Sequence, residues 1–270
     1  DLWNPFAGRF SSLVDRLGLA GIMAPAQRST DVLGTVRKGI AAQTGLSAQT
    51  PVSCGIHDSN ASLYPYIGSR TGPFSVVSTG TWVVAMAVGG AGMQLDPTRD
   101  ALINVNALGQ PVPSSRFMGG REYELIRAVS DVEPSEADFD RVLKDQIMLL
   151  PPHRNGGQAN ADTGPRWSAE PSTEGERMVA LSLYLALMTD DCLSLIGATG
   201  PVVVEGPFAR NAHYVAMLSS LRAEGVEVAA STTGTSIGAA LLCVERPAAP
   251  KTSLVMVGGK LDGLVNYAKR

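Results

Sequence analysis

Val202-Val203-Val204 is followed at once by Glu205-Gly206-Pro207 and then, from about Asn211 to Ala223, by apolar residues at helical spacing. Three β-branched residues in a row predict a short buried strand, and the glycine marks the turn that opens a helix. The free N–H groups and the dipole at such a helix start make the corner a ready anion pocket. Taken alone it reads more readily as an ordinary strand-to-helix corner.

Similar alternation runs along the rest of the chain. Phe74 to Ser78 and Thr81 to Met86 predict two strands joined at Thr79-Gly80 as a hairpin. Arg121 to Ser130 and Ser135 to Leu149 predict helices, the second restarted by Pro134 with acidic residues in its first turn. Glu174 to Ile196 predicts one long helix whose stripe Met178, Leu181, Leu185 and Met188 reads as core and not as a binding face. Asp190 and Asp191 are neighbours in that helix and do not share a face, so they read as solvated or capping. Val226 to Ala230 predicts a last core strand, Gly234 to Val244 a helix, and Lys251 to Gly263 a short strand and turn. Pro151 to Pro171 is rich in Gly, Pro and Asn and reads as a surface loop that contains His153. Near the start, helices are expected from about Ser11 to Leu17 and from about Thr35 to Thr44, the latter capped by Gly45. The alternation predicts an α/β fold with helices on both faces of a mixed sheet.

Two further segments carry chemistry. Cys54-Gly55-Ile56-His57-Asp58-Ser59-Asn60-Ala61 places a carboxylate beside an imidazole, and Ser78-Thr79-Gly80-Thr81-Trp82 follows about twenty residues later. An alcohol is a poor nucleophile, so a reaction at a hydroxyl needs a carboxylate within reach to take its proton, and Asp58 is the candidate. A phosphate tail needs amides and hydroxyls that can approach closely, and a glycine between two threonines supplies them. Each segment has a structural alternative: Asp58 as a cap or turn residue, and Thr79 to Thr81 as a strand end.

In this order and at these separations, the three segments resemble the C-terminal half of the FGGY carbohydrate kinases, closest to the rhamnulokinase and fuculokinase branch. Pro51-Val52, Met118-Gly119-Gly120 and Gly234-Thr235-Ser236-Ile237-Gly238-Ala239-Ala240 resemble family segments as well. The resemblance implies the ribonuclease-H-like fold of the actin-like ATPase superfamily. It implies Asp58 as general base toward a sugar hydroxyl, with His57 as a sugar or orienting contact. Thr79, Gly80 and Thr81 would hold the phosphates of ATP, carried with Mg2+. Asn106 would lie near the nucleotide, with Asn104 close enough to confuse the register. Gly119 and Gly120 would open a helix beneath it, and Gly206 and Asn211 would line the adenosine pocket. Many members carry a second glycine where this chain has Pro207, which offers no N–H.

Family members also begin with a domain bearing an Asp-x-Gly-Thr phosphate turn. Asp31-Val32-Leu33-Gly34-Thr35 has the wrong spacing and setting for that turn. The expected organisation is therefore a connector over residues 1–50 and a C-terminal kinase domain over 51–270, inactive without a first domain. The substrate would be a ketose or deoxy-ketose. Dimerisation, common in the family, is left open. A non-catalytic, actin-like nucleotide-binding or regulatory module is the alternative.

Net charge of −3 gives no electrostatic footprint for nucleic acid or an anionic membrane surface. Cys54, Cys192 and Cys243 show no metal-ligand spacing and fit a reducing cytoplasm. No window reads as the roughly 18 apolar residues that span a bilayer.

Overall fold

The computed structural model describes residues 2–92, 95–96, 99–127, 132–151, 154–155, 158–159, 166–231, 233–244, 250–255 and 261–269. His153, part of the expected 151–171 loop and the end of the helix expected to reach Ser130 lie outside these residues. In chain order the structure begins with β1 (Trp3–Asn4), β2 (Arg9–Phe10), α1 (Ser12–Arg16), β3 (Val32–Thr35), α2 (Lys38–Thr44), β4 (Pro51–Ser53) and α3 (Asp58–Ile67). It continues through β5 (Phe74–Thr79), β6 (Val83–Val88), β7 (Ala101–Val105), β8 (Pro111–Phe117), α4 (Gly119–Ile126), α5 (Glu136–Asp145) and β9 (Leu149–Leu150). Next come β10 (Arg154–Asn155), β11 (Gln158–Ala159), β12 (Arg166–Trp167), α6 (Glu174–Leu195), β13 (Val202–Glu205), α7 (Ala212–Leu221) and β14 (Val226–Ala229). The last elements are α8 (Gly234–Leu241), β15 (Thr252–Leu254) and α9 (Leu261–Ala268).

The chain divides into two units, residues 1–70, 103–112 and 233–250 in the first and the remainder in the second. The expected boundary at residue 51 falls inside the first unit.

In the second unit the main sheet runs β15-β14-β13-β5-β6-β8-β7, the tip of the last hairpin being grouped with the first unit. β13 is parallel to both β5 and β14, while β5–β6, β6–β8 and β14–β15 are antiparallel, so the sheet is mixed. All four residues of β13 are buried, as expected of a central strand covered on both faces. Its Val202 and Val204 join Val77 and Val83 in a core with Leu181, Leu185, Leu193, Tyr214 and Leu218.

Two capping boxes set where the large helices begin. Ser135 and Asp138 cap α5, and Thr173 and Glu176 cap α6, each side chain meeting the other's backbone N–H. The boxes are cross-linked: Arg141 Nε donates to Glu176 Oε1 at 2.6 Å, Arg141 Nη2 to Asp138 Oδ1 at 3.0 Å, and the Thr173 hydroxyl to Asp138 Oδ1 at 2.8 Å. Hydrogen bonds from Ser135 and Thr173, with the Arg141 charge, hold the Asp138 carboxyl down at about 2.

Several expectations are corrected. α5 stops at Asp145 because Gln146 turns left-handed (φ 53°), and Leu149 begins a strand. Part of the expected 151–171 loop pairs into β10–β11 and, with β9, β12. α6 is long and apolar enough by composition to cross a membrane, contrary to the reading of the sequence, yet 61% of that window is buried inside the protein. Asp190 and Asp191 are both in ion pairs: Asp190, partly buried, pairs with Arg222 at 2.7 Å, while Asp191, exposed as expected, pairs with Arg99 at 2.5 Å. Gly263 lies within a C-terminal helix, α9, and not in a turn.

In the first unit, the segment expected to start a helix at Thr35 instead ends the strand β3, paired antiparallel with β4 and exposed at all four residues. α2 begins at Lys38 and closes on Gly45 with φ 75°, as the terminal glycine predicts. α3 packs on α8, where the Ser62 and Thr235 hydroxyls lie 2.9 Å apart. Pro65, inside α3, has no N–H to offer the Ala61 carbonyl, and Gly238 packs directly onto that carbonyl. A Cβ at Gly238 would overlap it.

Candidate functional site

β5 and β13 are parallel neighbours, so Thr79 and Glu205 sit at the same, carboxyl end of the sheet. From there the sheet continues through β6 on one side and β14 on the other. In open α/β sheets ligands bind beyond strand ends at this kind of switch.

The two strand ends are latched. Thr79 Oγ1 donates to the Glu205 carbonyl at 2.5 Å and accepts from the Phe208 N–H at 3.1 Å. Gly206 turns the chain with φ 85°, and a Cβ there would overlap the Thr79 carbonyl. Only glycine meets both demands, which explains the residue that ends the Val202–Glu205 strand. Thr79 is buried and its hydroxyl is spent on the protein, whereas Gly80 and Thr81 are exposed.

α4 closes on the same turn. The Arg121 N–H donates to the Thr81 carbonyl at 3.3 Å, and Gly120 packs so tightly that a Cβ would overlap the Gly80 carbonyl. At Gly119 a Cβ would come within 2.6 Å of Val83 Cγ2 and 2.8 Å of the Phe117 ring. The paired glycines therefore let the start of α4 lie against the hairpin tip, with the helix's first N–H groups beside it.

Beyond Gly206, Pro207 opens a short 3-10 turn to Arg210, and Asn211 caps α7 by accepting from the Tyr214 N–H at 3.1 Å. Here the sequence expectation placed Asn211 within the helix; it sits one residue before it. A cavity of about 550 Å³ opens at this corner, with Tyr123, Met178, Ser182, Pro207, Asn211 and His213 in its wall. His213 is stacked on Phe139 with ring centroids 5.1 Å apart. Behind the wall, burial pushes the Tyr214 phenol upward, and its oxygen lies 3.0 Å from the Thr189 hydroxyl.

Thr79, Gly80, Thr81, Gly119, Gly120, Gly206 and Asn211 thus all belong to the second unit and lie at its latched corner or on the adjoining cavity. Tyr123, Met178 and Ser182 were missed by sequence reasoning. Met178 and Ser182 are four residues apart, hence on one face of α6, and a serine within an apolar stripe is the signal that marks them.

His57, Asp58 and Asn106 belong to the first unit. Asp58 is the first residue of α3, behind His57, which donates no side-chain cap. Its carboxylate accepts from the Ser59 N–H at 2.6 Å and lies 2.9 Å from His57 Nδ1, with both side chains more than two thirds exposed (75% and 71%). His57 Nδ1 is also 3.0 Å from the Ser59 hydroxyl. Asn106 is buried and builds its own turn: Oδ1 accepts from the Leu108 and Gln110 N–H groups at 2.9 and 3.0 Å, and Nδ2 donates to Gln110 Oε1 at 3.0 Å. Asn104 Oδ1 accepts from the adjacent Val105 N–H at 2.9 Å. Among the described residues no group of three or more His, Cys, Asp or Glu side chains converges on a metal-sized site.

The family model of the carbohydrate kinase FGGY C-terminal domain matches residues 71–252. A solved carbohydrate kinase from Novosphingobium aromaticivorans is 36% identical, with a TM-score of 0.80 over 99% of this chain and 62% of its own. Xylulose kinase from Rhodospirillum rubrum superposes with a TM-score of 0.67 at 19% identity, over 94% of this chain and 58% of its own. Ligand-bound xylulose kinase from Lactobacillus acidophilus gives 0.73 at 12% identity, over 96% and 58%. At those two identities the likeness is one of fold. This chain spans about three fifths of the length of each of these structures. No curated protein matches its sequence.

Proposed function

The chain belongs to the FGGY carbohydrate kinases, with their α/β, ribonuclease-H-like fold, and from that premise we propose that it is the nucleotide-holding part of an ATP-dependent sugar kinase. The supporting observation is the Thr79 latch, which ties the ends of two parallel strands so that the Gly80–Thr81 turn and the cavity beside Asn211 flank one corner. ATP has the two parts such a corner suits: a base for the cavity, and phosphates for exposed amides and the free Thr81 hydroxyl. Gly120 and Gly206 keep the backbone bare where a Cβ would otherwise stand.

Thr79 holds the turn by its own hydrogen bonds, so its part is positioning. Gly80, Thr81 and the opening N–H groups of α4 hold phosphate, and Asn211 meets the base. Asp58 is the general base. It takes the proton of a sugar hydroxyl as that oxygen bonds to the γ-phosphorus and the bond to the β-phosphate oxygen breaks, releasing ADP. Its exposed carboxylate is open to a substrate hydroxyl, and His57 beside it orients the carboxylate or the sugar. Mg2+ would neutralise charge on the phosphates; with no carboxylate cluster among the described residues to cage it, those phosphates would carry it in. The acceptor is a ketose or deoxy-ketose, met by residues beyond this chain as well as by Asp58. Asn106, spent on its own turn, shapes the β7–β8 hairpin.

Calorimetric titration of the chain with a non-hydrolysable ATP analogue and magnesium tests the reading. The wild-type chain should bind, and Gly80→Val should abolish binding without unfolding, since only the Trp82 carbonyl lies within 4 Å of a Cβ there. Undiminished binding by Gly80→Val would move the phosphates off this turn. Absence of binding by the wild-type chain would remove the proposal that these residues suffice to hold a nucleotide.

A further inference from the structure

Asn211 is held more firmly than a helix cap requires. The Ser182 hydroxyl, buried on α6, donates to the Met178 carbonyl one turn back at 2.8 Å. Its hydrogen is therefore spent, and toward Asn211 it can only accept, which it does from Nδ2 at 2.8 Å. On the other side the Tyr214 N–H fixes Oδ1 at 3.1 Å. A flipped amide would set its NH2 against an N–H and its carbonyl against an oxygen with no hydrogen to give. The amide has one orientation only.

An amide has two N–H groups and two carbonyl lone pairs. One of each is used by the protein, so Asn211 retains one donor beside one acceptor on the wall of a cavity of about 550 Å³. Pro207, on the same wall, has no N–H to add. A donor next to an acceptor complements an acceptor next to a donor, the pattern of N7 and the 6-amino group of adenine. Against a 6-oxo purine, Oδ1 would face a second acceptor.

We propose that Ser182 is a positioning residue that acts through Asn211 to make the cavity selective for a 6-aminopurine over 6-oxo and 6-unsubstituted purines. This rests on the reading of the cavity as the base pocket of a nucleotide site. Ser182 does not itself need to touch the base. A serine that merely satisfied itself within a helix would bond the carbonyl four residues back and nothing else; this one also aligns the side chain that faces the cavity.

The test is calorimetric titration of the chain with non-hydrolysable triphosphates of adenosine, guanosine and unsubstituted purine riboside, with thermal unfolding followed in parallel. The wild-type chain should prefer the 6-amino form by roughly 5- to 100-fold, the range a good paired base contact provides. Ser182→Ala should keep nucleotide binding but bring the three affinities within about 3-fold, and Ser182→Thr, which retains the hydroxyl, should restore the preference. Asn211→Asp, still a good helix cap, removes the donor that meets N7 but keeps an acceptor for the 6-amino group, so it should weaken all three nucleotides and leave the 6-amino form preferred. Wild-type ratios in folded Ser182→Ala would overturn the positioning role. Equal wild-type affinity for the three would overturn selectivity while leaving the nucleotide site intact, and no binding of any of them would overturn the site itself.

Discussion

Two corners of this protein carry chemistry-bearing residues, and they are built in opposite ways. At Thr79 and Gly206, strand ends are locked by a buried hydroxyl, a left-handed glycine and backbone contacts too close for any side chain. At His57 and Asp58, a helix begins behind a histidine that gives no side-chain cap, with a carboxylate three quarters exposed that, among the described residues, only Ser59 and His57 meet. The first corner is rigid and the second open, as their proposed roles in phosphate holding and proton transfer require. A phosphate turn must be rigid to place a donor, whereas a general base must be open to the group it deprotonates.

The comparison breaks first at Asp58. In the intact kinase, Asp58→Asn should lower turnover by roughly 10²- to 10⁴-fold, with nucleotide affinity nearly unchanged and the unfolding midpoint unmoved. Steady-state kinetics beside calorimetry decides it. Loss of turnover and nucleotide affinity together would reveal a folding role, and unchanged turnover would leave Asp58 outside the chemistry, as a non-catalytic nucleotide module would have it.

Gly206→Ala should do the reverse, costing about 3–5 kcal/mol of stability, because alanine must adopt φ 85° and also clear the Thr79 carbonyl. Urea denaturation of the folded chain measures this. A cost below about 1 kcal/mol would mean that the corner yields, and that its rigidity is overstated.

The cross-linked capping boxes test whether rigidity in the second unit depends on charge. Asp138→Asn should cost about 2 kcal/mol near neutral pH, the scale of hydrogen bonds to an ionised carboxylate. The Asp138 carboxyl titrates at about 2 in the fold against 3.8 in the open chain, so the folded state favours its charged form. That contribution is complete above about pH 4 and is lost as pH falls through about 2. Wild-type and Asp138→Asn stabilities should therefore run parallel from pH 8 to 5 and converge between 4 and 2. Convergence on raising the pH instead would have the sign wrong.

These contrasts mark what could be read in advance. The strand at Val202, its Gly206 turn and the long helix from Glu174 to Leu195 were legible because one periodicity and one breaker determine each. Asn211 was legible as a residue but not as a cap, since only its bond to the Tyr214 N–H distinguishes the two. Ser182 was hidden because its partner lies 29 residues away, and β3 because its four exposed residues follow no buried period. Pairing across long separations also gave Asp190 to Arg222, where adjacent carboxylates in a helix suggested solvent.

The smallest effect lies between two glycines in contact. Gly120 meets the Gly80 carbonyl with no space for a Cβ, but a Cβ on Gly80 itself would find only the Trp82 carbonyl, at 3.9 Å. Gly80→Ala should then change stability by less than about 0.5 kcal/mol, while Gly120→Ala, which must displace backbone, should cost several times more. Thermal unfolding of the two variants side by side separates them. If Gly80→Ala proves as costly as Gly120→Ala, the hairpin tip needs glycine for its own backbone, and the phosphate approach offered for Gly80 loses its claim to explain the residue.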